Sequence, residues 1–175
     1  LNVGFWTKDF CKTFEKVIAF EPIPSNVECL KKNVQSTNLE IKEYALGARN
    51  QDTDIFFPQN GNSGSATFSP SNLVDESEIQ KVPTKIRTLD DELSNVSDEL
   101  AQNCLIKIDV QGYEKEVLDG AQKFILNFRP IICLEIQRPR KRHKWIKFFG
   151  YTHGYRPLMS IKKDWTFVCY NKFPD

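Results

Sequence analysis

Three acidic side chains in this sequence stand at the ends of short apolar runs. Glu21 follows Val17-Ile18-Ala19-Phe20, Asp109 follows Leu105-Ile106-Lys107-Ile108, and Glu135 falls near the end of the run from Ile131 to Ile136. If those runs are buried parallel strands, the three carboxylates share the carboxyl edge of a sheet, where open α/β folds bind their ligands. Glu21 at such an edge can accept two hydrogen bonds from the adjacent hydroxyls of a ribose. Asp109 can take a proton from a reacting hydroxyl or orient an amine, and Glu135 points into the same crevice as a second catalytic candidate. Asp109 could instead cap the helix that begins near Tyr113. With His143, the two acids also offer the oxygen and nitrogen donors of a divalent-cation site. That spacing is not diagnostic, and no metal is assigned.

A ribose-binding acid serves S-adenosylmethionine and nicotinamide dinucleotides alike. The dinucleotide reading wants a G-x-G-x-x-G fingerprint about 20 residues before the acid, whereas Gly4 is the only glycine ahead of Glu21. A nicotinamide-dependent oxidoreductase is therefore the weaker reading. A different chemistry is offered by Arg138 to Lys147, which carries six Lys or Arg side chains in ten residues. Such a run can hold a phosphate, an acidic sugar or a nucleic-acid backbone, or it can be a solvated helix start balanced by the acidic 75–99 region. Arg138 and His143 are the candidates for binding an acceptor there. Trp145 and Tyr151 near this run do not make an evident stacking platform, so nucleic acid is not the expected partner. A non-catalytic module that binds an anionic partner through 138–147 is the alternative to an enzyme.

The elements that must position these groups follow from periodicity. Trp6, Phe10 and Phe14 recur at steps of four, one face of a helix over 5–14. After the strand at 17–20, Pro22 and Pro24 stop regular structure, and Ser25 with Glu28 has capping-box spacing for a helix over 26–36. Strands are expected at 41–46, 53–57, 82–88, 105–110 and 131–136, and helices at 89–100, 113–127 and 142–151. Two closing strands, 155–161 and 165–171, read as an antiparallel hairpin around Lys162-Lys163-Asp164, and His153 reads as a loop histidine. The polar stretch 60–71 is a candidate lid, with Asn62 and Ser63 on the acceptor side. Short apolar strands separated by helices imply a doubly wound, mostly parallel α/β sheet in a single domain over 1–175.

Composition agrees with one folded domain. The chain has 175 residues, 40% of them hydrophobic, and a formal net charge of +1, so any attraction to a polyanion must be local. No apolar run approaches the roughly 20 residues needed to cross a bilayer. The five cysteines are an odd number without a C-x-x-C pair, which predicts reduced thiols and a cytoplasmic protein.

Six segments in this order resemble the motifs of the FkbM family of methyltransferases. They are Val17-Ile18-Ala19-Phe20-Glu21-Pro22, Ala45-Leu46-Gly47, Asn62-Ser63-Gly64, Thr88-Leu89-Asp90, Ile106 to Glu114, and Arg129-Pro130 with Glu135. The resemblance runs from about Asn2 to Ile136. It implies the class I, Rossmann-like methyltransferase fold, S-adenosylmethionine as cofactor, and methylation of a hydroxyl oxygen on a sugar or secondary metabolite, in a chain that could form homo-oligomers. By position Glu21 resembles the ribose-binding acid, with Pro22 beside it, and Tyr44-Ala45 falls at the adenine edge. Asp109 resembles the acid that faces cofactor and acceptor, and Asn2-Val3-Gly4 the tail of the family's glycine loop. Gln111 stands where the family usually has Glu. The family's first, central strand has no counterpart here, so this strand is expected to be missing or truncated in a chain that starts at Leu1 rather than Met.

Overall fold

The computed structural model describes residues 4–58, 66–68, 79–136, 142–169 and 172. Within them the order is α1 (Phe5–Thr13), β1 (Val17–Phe20), α2 (Pro24–Asn33), β2 (Leu39–Lys42), β3 (Ala45–Leu46), β4 (Gln51–Pro58), β5 (Ile79–Arg87), α3 (Leu89–Glu92) and α4 (Asp98–Gln102). There follow β6 (Leu105–Ile108), α5 (Glu114–Asp119), α6 (Gln122–Phe128), β7 (Ile131–Glu135), α7 (Arg142–His153), β8 (Tyr155–Ile161) and β9 (Asp164–Cys169). Each apolar run read as a strand contains strand, but the one expected over 41–46 is divided between β2 and β3, which lie in different sheets.

The sheets are mixed, which departs from the single, mostly parallel sheet expected. Among the described residues there are three, in the orders β1-β2, β3-β5-β4 and β6-β7-β9-β8. The pairs β1/β2, β3/β5 and β6/β7 are parallel. The long β4 pairs antiparallel with β5 over eight register positions, Gln51 opposite Ile86 through Pro58 opposite Ile79. β9 inserts antiparallel between β7 and β8. The expected closing hairpin is present and turns at Lys162, whose φ is +56°.

Helix boundaries moved where long-range packing overrode local pattern. Pro24, read as a breaker, opens α2, where its missing N–H costs nothing in the first turn. Ser25 does not cap that helix. The N-cap position is Ile23, and the Glu21 carboxylate accepts from the Ile23 amide at 3.0 Å. The helix expected over 89–100 is two short ones, capped by the Thr88 and Ser97 hydroxyls. The helix expected over 113–127 breaks at Gly120, where the chain passes so close to β3 that a Cβ would lie 2.0 Å from the Gly47 carbonyl oxygen. Asp90 locks that junction: its carboxylate accepts from the Lys123 and Phe124 amides at 3.1 and 2.8 Å, capping α6 from another helix.

The main core gathers Ile108, Ile132, Leu134 and Phe167 from the strands with Leu118, Ile125 and Phe149 from the helices. A second cluster joins Ala19 of β1 to Leu30 and Val34 of α2, with Cys11 of α1 beside it. His153 is no loop residue. It is buried at the last position of α7, and its carbonyl accepts from Arg129 Nη1 at 2.7 Å. The five cysteines are unpaired, and burial pushes the Cys104 thiol up to about 11.

The Gly120–Gly47 contact makes a direct prediction. Gly120→Ala should lower the unfolding free energy by about 1–3 kcal/mol or more, since a methyl group is forced onto a backbone carbonyl. Gly150→Ala, whose Cβ would meet its nearest atom at 3.5 Å, should cost nothing or stabilise slightly. Urea denaturation of the two variants checks both.

Candidate active site

A cavity of about 1000 Å³ opens between β1 and β6. Its wall includes all of β1, then Glu21, Pro22, Ile23 and Asn26, and on the other side Leu105 through Tyr113. Leu100, just ahead of β6, lines a smaller depression together with Glu15 and Lys16 at the start of β1. At the far ends, Ile23 packs with Phe68, whose ring lies 4.7 Å from that of Tyr113. The two strands therefore run in the same direction, and Glu21 and Asp109 are delivered to the same end of one cavity.

Glu21 is 4% exposed. Its Oε1 accepts from the Ile23 amide at 3.0 Å and from Asn26 Nδ2 at 3.3 Å. Burial pushes its carboxyl above the ordinary value, against the pull of those hydrogen bonds. Glu21 is thus held in one orientation by α2 while it borders the cavity.

Asp109 and Glu135 come together because the β6–β7 register places Ile108 beside Leu134, so the next residue of each strand is a carboxylate. Gln111 Nε2 bridges them, donating to Asp109 Oδ1 at 3.0 Å and Glu135 Oε2 at 3.3 Å. It does so from a left-handed backbone, φ +52°, followed by Gly112 at φ +102°. Burial works to raise the Asp109 pKa. The hydrogen bond with Glu135, the charge of Lys107 and the Gln111 amide outweigh it, and the carboxyl is held below the usual aspartate range. The hydrogen bond with Glu135 favours the ionised form of Asp109. Asp109 is then an anionic partner for a cation more than a proton acceptor.

Lys107 is the member of this cluster that the sequence reading passed over. Its side chain is 4% exposed, pairs with Asp164 at 2.5 Å, and lies 5.6 Å above the Trp6 ring. The signal was present: a lysine inside an apolar strand must be paired, and at two residues from Asp109 it shares that residue's face. Tyr113 and Phe68 are further additions, walling the cavity mouth as an aromatic pair. Phe68 belongs to the described part of the candidate lid, where Thr67 exchanges two 2.9 Å backbone hydrogen bonds with Phe56.

The remaining candidates divide. Pro22 and Ala45 line the cavity. Tyr44 does not; its hydroxyl donates to Glu92 at 2.5 Å, and burial first, then Glu92, pushes its pKa up. Gly4 is at φ +95° ahead of α1 and packs on Leu30 and Val34. His143 is exposed on α7 and does not line the cavity. Among the described residues no three His, Cys, Asp or Glu side chains group as a metal site. Asn62, Ser63 and Arg138 lie outside the described residues. Among the described residues no helix is long and apolar enough to cross a membrane.

An α/β chain that ends two co-directional strands on carboxylates at one cavity has the layout of the nucleotide- and cofactor-binding folds. The chain belongs to the FkbM methyltransferase family, whose domain description matches residues 2–160. It is similar to the crystal structure of methyltransferase FkbM from Methylobacillus flagellatus KT, with a TM-score of 0.52 and 16% identity. That likeness is one of fold. It covers 88% of this chain and 36% of the other, so the chain spans about a third of that protein's length. Comparison with curated proteins finds no match.

The protonation assignment can be measured. A ¹³C NMR titration should place the Asp109 carboxyl midpoint below its ordinary value of 3.8. Glu135→Ala should raise that midpoint, because it removes the hydrogen bond that offsets burial.

Proposed function

We propose that this chain is the cofactor-binding part of an S-adenosylmethionine-dependent methyltransferase that methylates a hydroxyl oxygen of a sugar or secondary metabolite. The observation that carries the reading is the placement of Glu21 and Asp109 at one end of one cavity, with Asp109 held anionic. The cofactor would supply an activated methyl group on a sulfonium. Glu21 would accept from its ribose hydroxyls, with Pro22 and Ala45 as apolar wall. Asp109 would hold its ammonium group, a role that suits a carboxylate with a lowered pKa. The fit is supported by a cavity at the large end of the range for such ligands.

In-line methyl transfer depends on holding donor and acceptor in near-attack geometry, and Gln111 serves this by fixing both carboxylates. The attacked hydroxyl becomes strongly acidic as its oxygen is alkylated, so Glu135 would take its proton late although it is not a strong base, while Asp109 holds the cofactor. Acceptor class rests on the family resemblance. A cytoplasmic setting is supported by the five unpaired thiols.

Isothermal titration tests the assignment. S-adenosylmethionine and S-adenosylhomocysteine should bind with micromolar affinity and NAD should not. Glu21→Gln keeps an oxygen for the Ile23 amide but removes the charge, and should weaken binding by about 1–1.5 kcal/mol, roughly tenfold. Because burial raises the Glu21 pKa, affinity should also fall on acidification before the ordinary glutamate value of 4.5 is reached. That acid loss should be absent from Glu21→Gln. Preference for NAD, or an unchanged affinity in the variant, would contradict the reading.

A further inference from the structure

Lys107 stands between two acids of the same sheet edge and is held by the more distant one. Its partner Asp164 lies two strands away, about 10 Å across the sheet at the usual strand spacing. The registers fix that path: Lys107 is opposite Cys133 on β7, Cys133 is opposite Thr166 on β9, and Asp164 comes two residues before Thr166. The lysine side chain therefore runs diagonally over β7 to place Nζ 2.5 Å from Asp164 Oδ1. Asp109 is much nearer along the chain. It follows Lys107 by two residues on the same face, about 7 Å of strand, which a flexible four-carbon stem can span. Among the described residues Lys107 makes its ion pair with Asp164 and none with Asp109.

We infer that Asp164 is a positioning residue for the cofactor site: by holding Lys107 it keeps that lysine off Asp109, which stays open to the ammonium group of a ligand. The inference rests on the reading of Asp109 as the partner of the cofactor's ammonium. A buried lysine must have an anion, and with Asp164 neutral the next one on its face is Asp109. A lysine ammonium seated there would occupy the place of the ligand's own. Held on Asp164, the same lysine acts only at a distance, where its charge favours the ionised form of Asp109. The holder is itself fixed. The Ile136 amide donates to the Lys163 carbonyl at 2.8 Å, tying the β8–β9 turn to the end of β7, and the Trp6 ring covers the lysine head at 5.6 Å. The closing hairpin thus contributes to the cofactor end of the cavity without bordering it: none of β8 or β9 lines the cavity wall.

The test is a mutant cycle on the full chain, read by titration with S-adenosylhomocysteine and by ¹³C NMR of the Asp109 carboxyl without ligand. Asp164→Asn should weaken binding about tenfold, the loss of one charged hydrogen bond at Asp109. Asp164→Glu, which keeps the charge, should bind as the parent chain does. Adding Lys107→Met to Asp164→Asn should restore the parent affinity, and this double variant leaves no charge buried alone, so it reports even where Asp164→Asn is too unstable to titrate. A double variant that binds weakly, or an Asp164→Asn chain that binds normally, would overturn the proposal. The NMR arm separates this outcome from a failure of the cofactor reading, which would show as a parent chain that does not bind. Asp164→Asn should lower the Asp109 midpoint, and by clearly less when Lys107→Met is also present. An equal lowering in both backgrounds would mean that Asp164 acts on Asp109 directly and not by holding Lys107, which also overturns the proposal.

Discussion

The site depends on a directional constraint of the backbone. β1 and β6 run the same way along one cavity, so the residue that follows each strand is presented at the same end. Carboxylates at those two positions border one cavity although 88 positions separate them in sequence. The surrounding structure keeps that geometry. α2 starts early at Pro24 and fixes Glu21 through the Ile23 amide. The Gly120–Gly47 approach and the Asp90 cap tie the helices after β6 to the end of β3.

Charge is managed across the same edge. Asp109, Glu135 and Asp164 occupy adjacent positions on neighbouring strands, Glu135 lying opposite Asp164 in the β7–β9 register. Three carboxylates side by side would repel one another if all were ionised. Lys107 pairs with Asp164, Asp109 is hydrogen-bonded with Glu135, and Gln111 donates to both members of that pair. The Asp109 carboxyl, held below the usual aspartate range, borders the cavity. A family glutamate at position 111 would add a fourth acid here, and the neutral amide instead acts as a bridge.

Much of this was legible in the sequence because it is local. The apolar runs ending at Glu21, Asp109 and Glu135 specify buried strands by composition alone, and their motif order carries the family. The rest depends on partners distant in sequence. No periodicity shows that 51–58 will pair antiparallel with 79–87, which is what makes the sheets mixed. The need for glycine at 120 is set by Gly47, 73 positions earlier. Ser25 had the spacing of a cap, but the buried Glu21 carboxylate served the turn first, and Tyr44 was drawn to Glu92 rather than to the cavity. Lys107 could have been found: a cation in the middle of an apolar strand announces a buried partner.

Amide chemical-shift mapping with S-adenosylhomocysteine tests most directly whether this end of the cavity binds the cofactor. The account predicts saturable shifts concentrated at Glu21, Ile23, Ala45 and the turn from Asp109 to Tyr113, with β8 and the exposed face of α7 unmoved. Shifts confined to 142–169, or none at saturating ligand, would contradict it.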